Sequence, residues 1–140
     1  MSRVFWDTNL FIYFFEGHEQ FGPETRKLRE RMLNRDDALI TSAMTLGEIL
    51  VKPRQHGDEA RCQKYENVLK AVSMIVPFDI EAARHYSSLR QHRGLKAPDA
   101  IQLSCAAAAK VDLFFTNDNR LHALHVPGIQ FIVPIDRVPL

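Results

Sequence analysis

Short apolar runs and longer amphipathic stretches alternate along this chain. Val4-Phe-Trp6, Ala38-Leu-Ile-Thr41, Met74-Ile-Val-Pro-Phe78, Leu113-Phe-Phe115 and Ile129-Gln-Phe-Ile-Val133 have the length and composition of buried strands. The stretches between them carry helical signals. Leu10–Phe15 predicts a mostly apolar helix closed by Gly17, which Thr8 or Asn9 can cap. Gly22-Pro23 opens a charged helix through Arg35, with Leu28 and Met32 on one inward face. Ser42 is placed to cap a helix over Ala43–Val51 that Pro53 ends. Gly57-Asp58 starts a helix to about Val72 that packs through Tyr65, Val68, Leu69 and Val72. Asp79 caps the next, with Ile80, Ala83, Tyr86 and Leu89 at helical spacing and Gly94 as stop. Asn119–Leu124 reads as a short helix.

Strands alternating with helices predict a parallel sheet covered on both faces by right-handed crossovers. The expected fold class is α/β, a three-layer α/β/α sandwich, with residues 1–140 forming one domain.

The stretch Lys96 to Asp118 joins fold to chemistry. Pro98 suits the first turn of a helix and Asp99 complements the positive end of its dipole; Ala106 to Ala109 give a slim face that can lie close to a sheet. Leu113–Phe115 then stops at Thr116, Asn117 and Asp118. Asp7 likewise follows the first strand, and Glu48 sits in a helix with little other polarity, where a charge needs a partner or a metal. A pair between Glu48 and Lys52 four residues on, worth roughly 0.3 to 0.5 kcal/mol, competes as an explanation. Ligands of open α/β sheets bind outside the carboxyl ends of the strands, so Asp7, Glu48, Asp99 and Asp118 suggest one cation site. Like charges held close repel unless a cation is bound, and carboxylates without cysteine or spaced histidines favour Mg²⁺ or Mn²⁺ over zinc. Of six histidines only His122 and His125 share a helical face, and a partly exposed pair is the expectation there.

Composition narrows the function classes. Apolar residues make up 46% and charged residues 25%, and no run approaches the ~18 apolar residues of a membrane span. With no leader pattern, the expected location is the cytoplasm. Cys62 and Cys105 lack metal-binding spacing and read as buried free thiols. A net charge of +1 excludes a protein that grips nucleic acid by charge alone, but not a nuclease whose acidic pocket is balanced by basic residues around it.

These residues resemble the PIN-domain ribonucleases, and among them the VapC-type toxins of bacterial toxin–antitoxin modules, over nearly the whole chain. Asp7-Thr-Asn9, Glu48, Pro98-Asp99-Ala-Ile and Phe115-Thr-Asn-Asp118 are similar to the family's ordered acidic motifs. The resemblance implies that Asp7, Glu48, Asp99 and Asp118 bind metal and serve catalysis, with Asn9 and Thr116 as supporting polar groups. It implies Mg²⁺-dependent endoribonuclease activity by metal-activated water (Mn²⁺ being possible), an RNA substrate, a cognate antitoxin and a homodimer. Gln102-Leu103 stands where many relatives have purely apolar residues and reads as subfamily variation. Lys52, Arg54, Arg93, Lys96 and Arg120 lie near the motifs and could contact RNA phosphates, with a solvated face as the alternative.

Four other readings compete. A PIN nuclease of RNA processing needs no toxin role. A receiver-type signalling domain needs an acidic pair after the first strand, where only Asp7 stands, and a phosphorylatable Asp after the third, where Asp79 follows Pro77-Phe78. A haloacid-dehalogenase-like phosphohydrolase needs Asp-x-Asp where Asp7-Thr-Asn9 occurs. A PIN fold that only binds a partner would not need four intact acids. Dinucleotide binding fails for want of GxGxxG.

Overall fold

The computed structural model describes residues 1–137 and 139–140. Five strands, β1 (Arg3–Trp6), β2 (Ala38–Ser42), β3 (Met74–Val76), β4 (Leu113–Phe115) and β5 (Phe131–Val133), form one sheet in the order β3-β2-β1-β4-β5, every neighbouring pair parallel. The helices are α1 (Thr8–Glu16), α2 (Phe21–Arg35), α3 (Ala43–Gln55), α4 (Glu59–Val72), α5 (Ile80–Leu89) and α6 (Ala97–Ala108), with 3₁₀ turns at Asn119–Leu121 and Ile135–Arg137.

Alternation along the strands sorts the core into two layers. Val4, Trp6, Leu39, Leu113 and Phe115 face α1 to α4, through Leu10 and Phe11, Leu28 and Met32, Ile49, and Tyr65 and Leu69. Phe5, Ile40 and Phe114 face α5 and α6, where Ala82, Leu89, Ala100, Leu103, Ala106 and Ala107 meet them. Phe5 and Phe114 stack with centroids 4.9 Å apart and planes 7° from parallel, so β1 and β4 are locked at the sheet's centre. The small face of α6 also admits the turn before β5. A Cβ on Gly128 would stand 2.6 Å from the Ala107 carbonyl oxygen, and φ there is +99°, so this close approach requires glycine.

The α/β/α sandwich expected from the sequence is present, with local differences. Pro77 cannot donate to a ladder, and β3 stops at Val76. β5 starts only at Phe131. α3 runs through Pro53, which is buried in its last turn, and ends at Gln55. On α5 the buried positions are Ala82 and Leu89, whereas Ile80 is 73% exposed, because β3 is an edge strand with little sheet beyond it to cover. Gly94 lies in the loop after α5, which ends at Leu89. Cys62 and Cys105 are buried free thiols. No helix among the described residues is long and apolar enough to cross a membrane.

The topology prepares a site. From β1 the chain steps outward to β2 and β3, then returns to lay β4 on the other side of β1. Connections therefore leave the C-terminal ends of β1 and β4 in opposite directions, and a crevice opens between them.

Candidate active site

Asp7 stands in that crevice. Its N–H donates to the Phe115 carbonyl at 3.2 Å, which extends the β1–β4 pairing one step and fixes the residue at the switch point. Its Oδ1 accepts the Asn9 N–H at 3.0 Å, so Asp7 itself caps α1, a role expected of Thr8 or Asn9. Its Oδ2 accepts the hydroxyl proton of Thr116, which is fully buried just past β4. Thr116 Oγ1 in turn accepts the Asp118 N–H at 3.1 Å. Thr116 thus connects the acids that follow β1 and β4, while Asn9 is exposed at the rim.

Glu48 reaches the same place from α3. Its Oε1 accepts the Thr8 hydroxyl at 2.6 Å, and Lys52 points instead to Glu16 at 3.8 Å, so the local pair suggested by spacing does not form. Asp99 enters from the first turn of α6, where Lys96 is the cap residue and Pro98 occupies the first turn. Asp7, Glu48 and Asp99 line one open cavity of about 330 Å³, together with Thr8, Asn9, Gln102 and an apolar wall that includes Ile12, Val51 and Leu121. Among the described residues no Lys, Arg or His side chain lines it.

Electrostatics divides the acids. Burial pushes the Asp7 carboxyl up to about 6; hydrogen bonds from Thr116, Asn9 and Leu10 oppose this only in part, and the negative charge of Asp99 adds to it. Asp7 keeps some accessible surface, but the protein around its carboxyl excludes enough water for desolvation to dominate. Asp99 is also raised, first by desolvation and then by Asp118, against Arg120 and Lys96. Asp118 is lowered, because the Arg120 side chain grips it at 2.9 and 2.5 Å while the Arg120 N–H caps it at 3.1 Å. Asp118 therefore stands one step outside the cavity, joined to Asp7 through Thr116 and to Asp99 through Arg120, which lies 3.7 Å from Asp99.

The basic residues near the motifs separate into two groups. Arg54 pairs with Glu59 at 3.0 Å and Lys52 with Glu16. Arg93 and Arg120 border a second depression of about 260 Å³ that shares Asp99 and Leu121 with the first. His122 meets the Thr116 carbonyl at 2.8 Å and is half-buried, whereas His125 is exposed. Asp79 caps α5 by accepting the Ala82 N–H at 2.9 Å, beside an edge strand rather than in the crevice.

Beneath the acids lies a polar cluster that local sequence reading does not reveal. Thr8, Thr41, Ser42, Thr45 and Gln102 are all buried and joined by side-chain hydrogen bonds. Ser42 begins α3 without capping it, since its hydroxyl goes to Gln102 Oε1. The one available signal is an amide among the apolar residues in the middle of an Ala-rich helix.

The donor set suits a hard divalent cation. Among the described residues no three or more acidic, His or Cys side chains stand close enough together to hold a metal ion as they are placed. An open cavity lined by carboxyls from three elements nonetheless matches an ion such as Mg²⁺, which dehydrates reluctantly and keeps several waters.

A family model, PIN domain, matches residues 4–126. The chain is 28% identical to ribonuclease VapC23 of Mycobacterium tuberculosis over 119 residues, 84% of this chain and 94% of that protein. Among solved structures it is similar to DNA-bound VapBC from Salmonella typhimurium, with TM-score 0.72 and 20% identity over 96% of this chain and 99% of that one. It is likewise similar to a toxin–antitoxin complex from Klebsiella pneumoniae, with TM-score 0.64 and 25% identity over 94% of this chain and all of that one.

Proposed function

The chain belongs to the PIN domain family, and from that premise we propose that it is a divalent-metal-dependent endoribonuclease acting as the toxin of a toxin–antitoxin pair. One observation carries the reading: three carboxyls, from the end of β1, α3 and α6, line one cavity into which no Lys, Arg or His side chain reaches among the described residues, Arg120 touching Asp99 only from the neighbouring depression. A cluster of this kind is unfavourable until a cation enters it.

Asp7, Glu48 and Asp99 would hold the ion, with Asp118 as an outer member. A bound Mg²⁺ or Mn²⁺ would supply Lewis-acid stabilisation of phosphate charge and a more acidic water near neutral pH. The protein's own part is positioning. Thr116 aims Asp7 and Thr8 aims Glu48. Asp118 holds Arg120 at the mouth, where that guanidinium and Arg93 could bind phosphates of an RNA strand lying across Asp99. Ile12, Val51 and Leu121 form an apolar wall beside the carboxyls.

The similarity to ribonuclease VapC23 and to toxin–antitoxin complexes supports an RNA substrate and an antitoxin partner. One compact domain, a homodimer, and action in the cytoplasm belong to the same proposal. The test is cleavage of structured RNAs in Mg²⁺, Mn²⁺ or EDTA by the parent and by Asp99→Asn, with growth measured on expression alone and with co-expression of a cognate antitoxin. The expected result is cleavage by the parent only with metal, loss in the variant, and growth arrest relieved by the antitoxin. Cleavage that survives EDTA, or undisturbed growth with folded protein, would overturn it.

A further inference from the structure

We propose that Gln102 is a positioning residue for Glu48, acting through Thr8, so that a buried amide sets how the Glu48 carboxyl presents itself to the cavity. The use made of Glu48 rests on the metal-nuclease reading above; the network that aims it does not.

Counting protons gives the network a single direction. The Trp6 carbonyl, which can only accept, lies 3.0 Å from Thr41 Oγ1 and takes the one proton of that hydroxyl. The 2.8 Å contact between Thr41 and Thr45 must then be donated by Thr45. With that proton used, the 2.8 Å contact between Gln102 Nε2 and Thr45 is donated by the amide. At the other end Glu48 Oε1 takes the Thr8 proton, so the 2.9 Å contact between Gln102 Nε2 and Thr8 is again donated by the amide. Both amide protons are now committed, and Oε1 receives the Ser42 hydroxyl. The reversed amide fails, because Thr8 and Thr45 would each need a second proton to donate to an oxygen in that place.

The consequence falls on Glu48. Gln102 is 5% exposed and Thr8 9% exposed, so although both border the cavity, little solvent reaches either to stand in for the other. While Gln102 occupies the lone pair of Thr8, the Thr8 proton stays on the carboxyl. Without that donor the Thr8 hydroxyl can turn to Thr45, 3.4 Å away, and Glu48 becomes free to swing toward Lys52 one helical turn on. Outer partners that orient metal-binding side chains typically carry 10- to 100-fold in affinity or activity.

The experiment titrates MnCl₂ into the metal-free full chain by calorimetry, alongside kcat and KM for RNA and thermal unfolding in EDTA. Gln102→Met keeps the length of the side chain and removes the amide. It should weaken Mn²⁺ binding roughly 10- to 100-fold and lower kcat with KM little changed. Thr8→Val should do the same, Thr8→Ser should retain parental binding, and the double variant Gln102→Met/Thr8→Val should be no weaker than Thr8→Val alone. Thr25→Val removes a buried hydroxyl that bonds only to the α2 backbone; it should lower stability without changing Mn²⁺ affinity.

Parental Mn²⁺ binding and turnover in Gln102→Met would overturn the inference. So would losses that multiply in the double variant, or weakened binding in Thr25→Val. Should Gln102→Met fail to fold, Ser42→Ala removes only the hydroxyl that holds the amide; it should weaken Mn²⁺ binding several-fold, and unchanged binding would overturn the inference. A parent that binds Mn²⁺ and cuts RNA while Gln102→Met does both equally well sinks this inference alone. A parent that binds no Mn²⁺ sinks the proposed function and this role with it.

Discussion

The two ends of the sheet hold aspartates at matching places in the chain, and their surroundings differ. At the N-terminal end Asp37, with no exposed side-chain surface, accepts the Ser2 N–H at 2.7 Å and the Arg35 guanidinium at 3.0 Å. Asp112 accepts the Arg3 N–H at 2.8 Å. These carboxyls fasten the start of β1 to the entries of β2 and β4. At the C-terminal end Asp7 has hydroxyl and N–H donors but no cationic side chain in contact, and it shares a cavity with Glu48 and Asp99. Residue type and position relative to a strand are thus insufficient to tell a structural acid from a candidate ligand. The difference lies in whether the protein itself supplies the balancing charge or donors.

Breaking the comparison at the C-terminal end should give the largest effect. Asp7→Asn keeps shape and a cap but loses charge, and metal-dependent RNA cleavage should fall by more than about a hundredfold, since residues that merely support metal ligands already carry 10- to 100-fold. A cleavage assay on folded protein decides it.

The same variant should gain stability when metal is absent. The Asp7 carboxyl titrates near 6 in the folded protein and near 3.8 when unfolded. Between those values the folded state holds a proton that the unfolded state has lost, so parental stability falls as pH rises through this window and stays lower above it. The full deficit is on the order of 3 kcal/mol. In EDTA, Asp7→Asn should therefore melt with the parent near pH 4, above it by pH 7, and Mg²⁺ should close the gap by stabilising the parent. Denaturant titrations across this range measure it.

Asp37→Ala should behave in the opposite way. Loss of two charge-assisted hydrogen bonds should cost about 1.5 to 3 kcal/mol at neutral pH, while cleavage per folded molecule stays parental.

The smallest effect concerns Arg120, which already balances Asp118 and lies near Asp99. Arg120→Gln should tighten Mn²⁺ binding a few-fold by removing a competing cation, and raise the KM for RNA by removing a phosphate contact. Titrations at low and moderate salt should show both effects shrinking as screening increases.

Features governed by local pattern were legible in the sequence. Short apolar runs mark β1, β2 and β4, helical spacing marks the long helices, and strand ends place Asp7 and Asp118 at one edge. At α1 local pattern leaves the cap open, because Asp and Thr are both good caps, and only the tertiary setting shows Asp7 capping the helix and facing the cavity at once. The Glu48–Lys52 pair was a sound local expectation, but a hydroxyl on another helix took Glu48 instead. Gln102 escaped for the same reason, since its partners come from α1, α3 and the end of β2, far away in the chain. Ile80 reads as core from helical spacing, and it is exposed because β3 happens to be an edge.

The central claim, that Asp7, Glu48 and Asp99 jointly hold a divalent cation, is tested most directly by anomalous scattering from a crystal soaked in MnCl₂. The account predicts a manganese peak within coordination distance of Asp7 and of at least one of Glu48 and Asp99, and its disappearance in Asp7→Asn. A peak only elsewhere, or none at saturating Mn²⁺ in a crystal whose cavity is open to solvent, would contradict it.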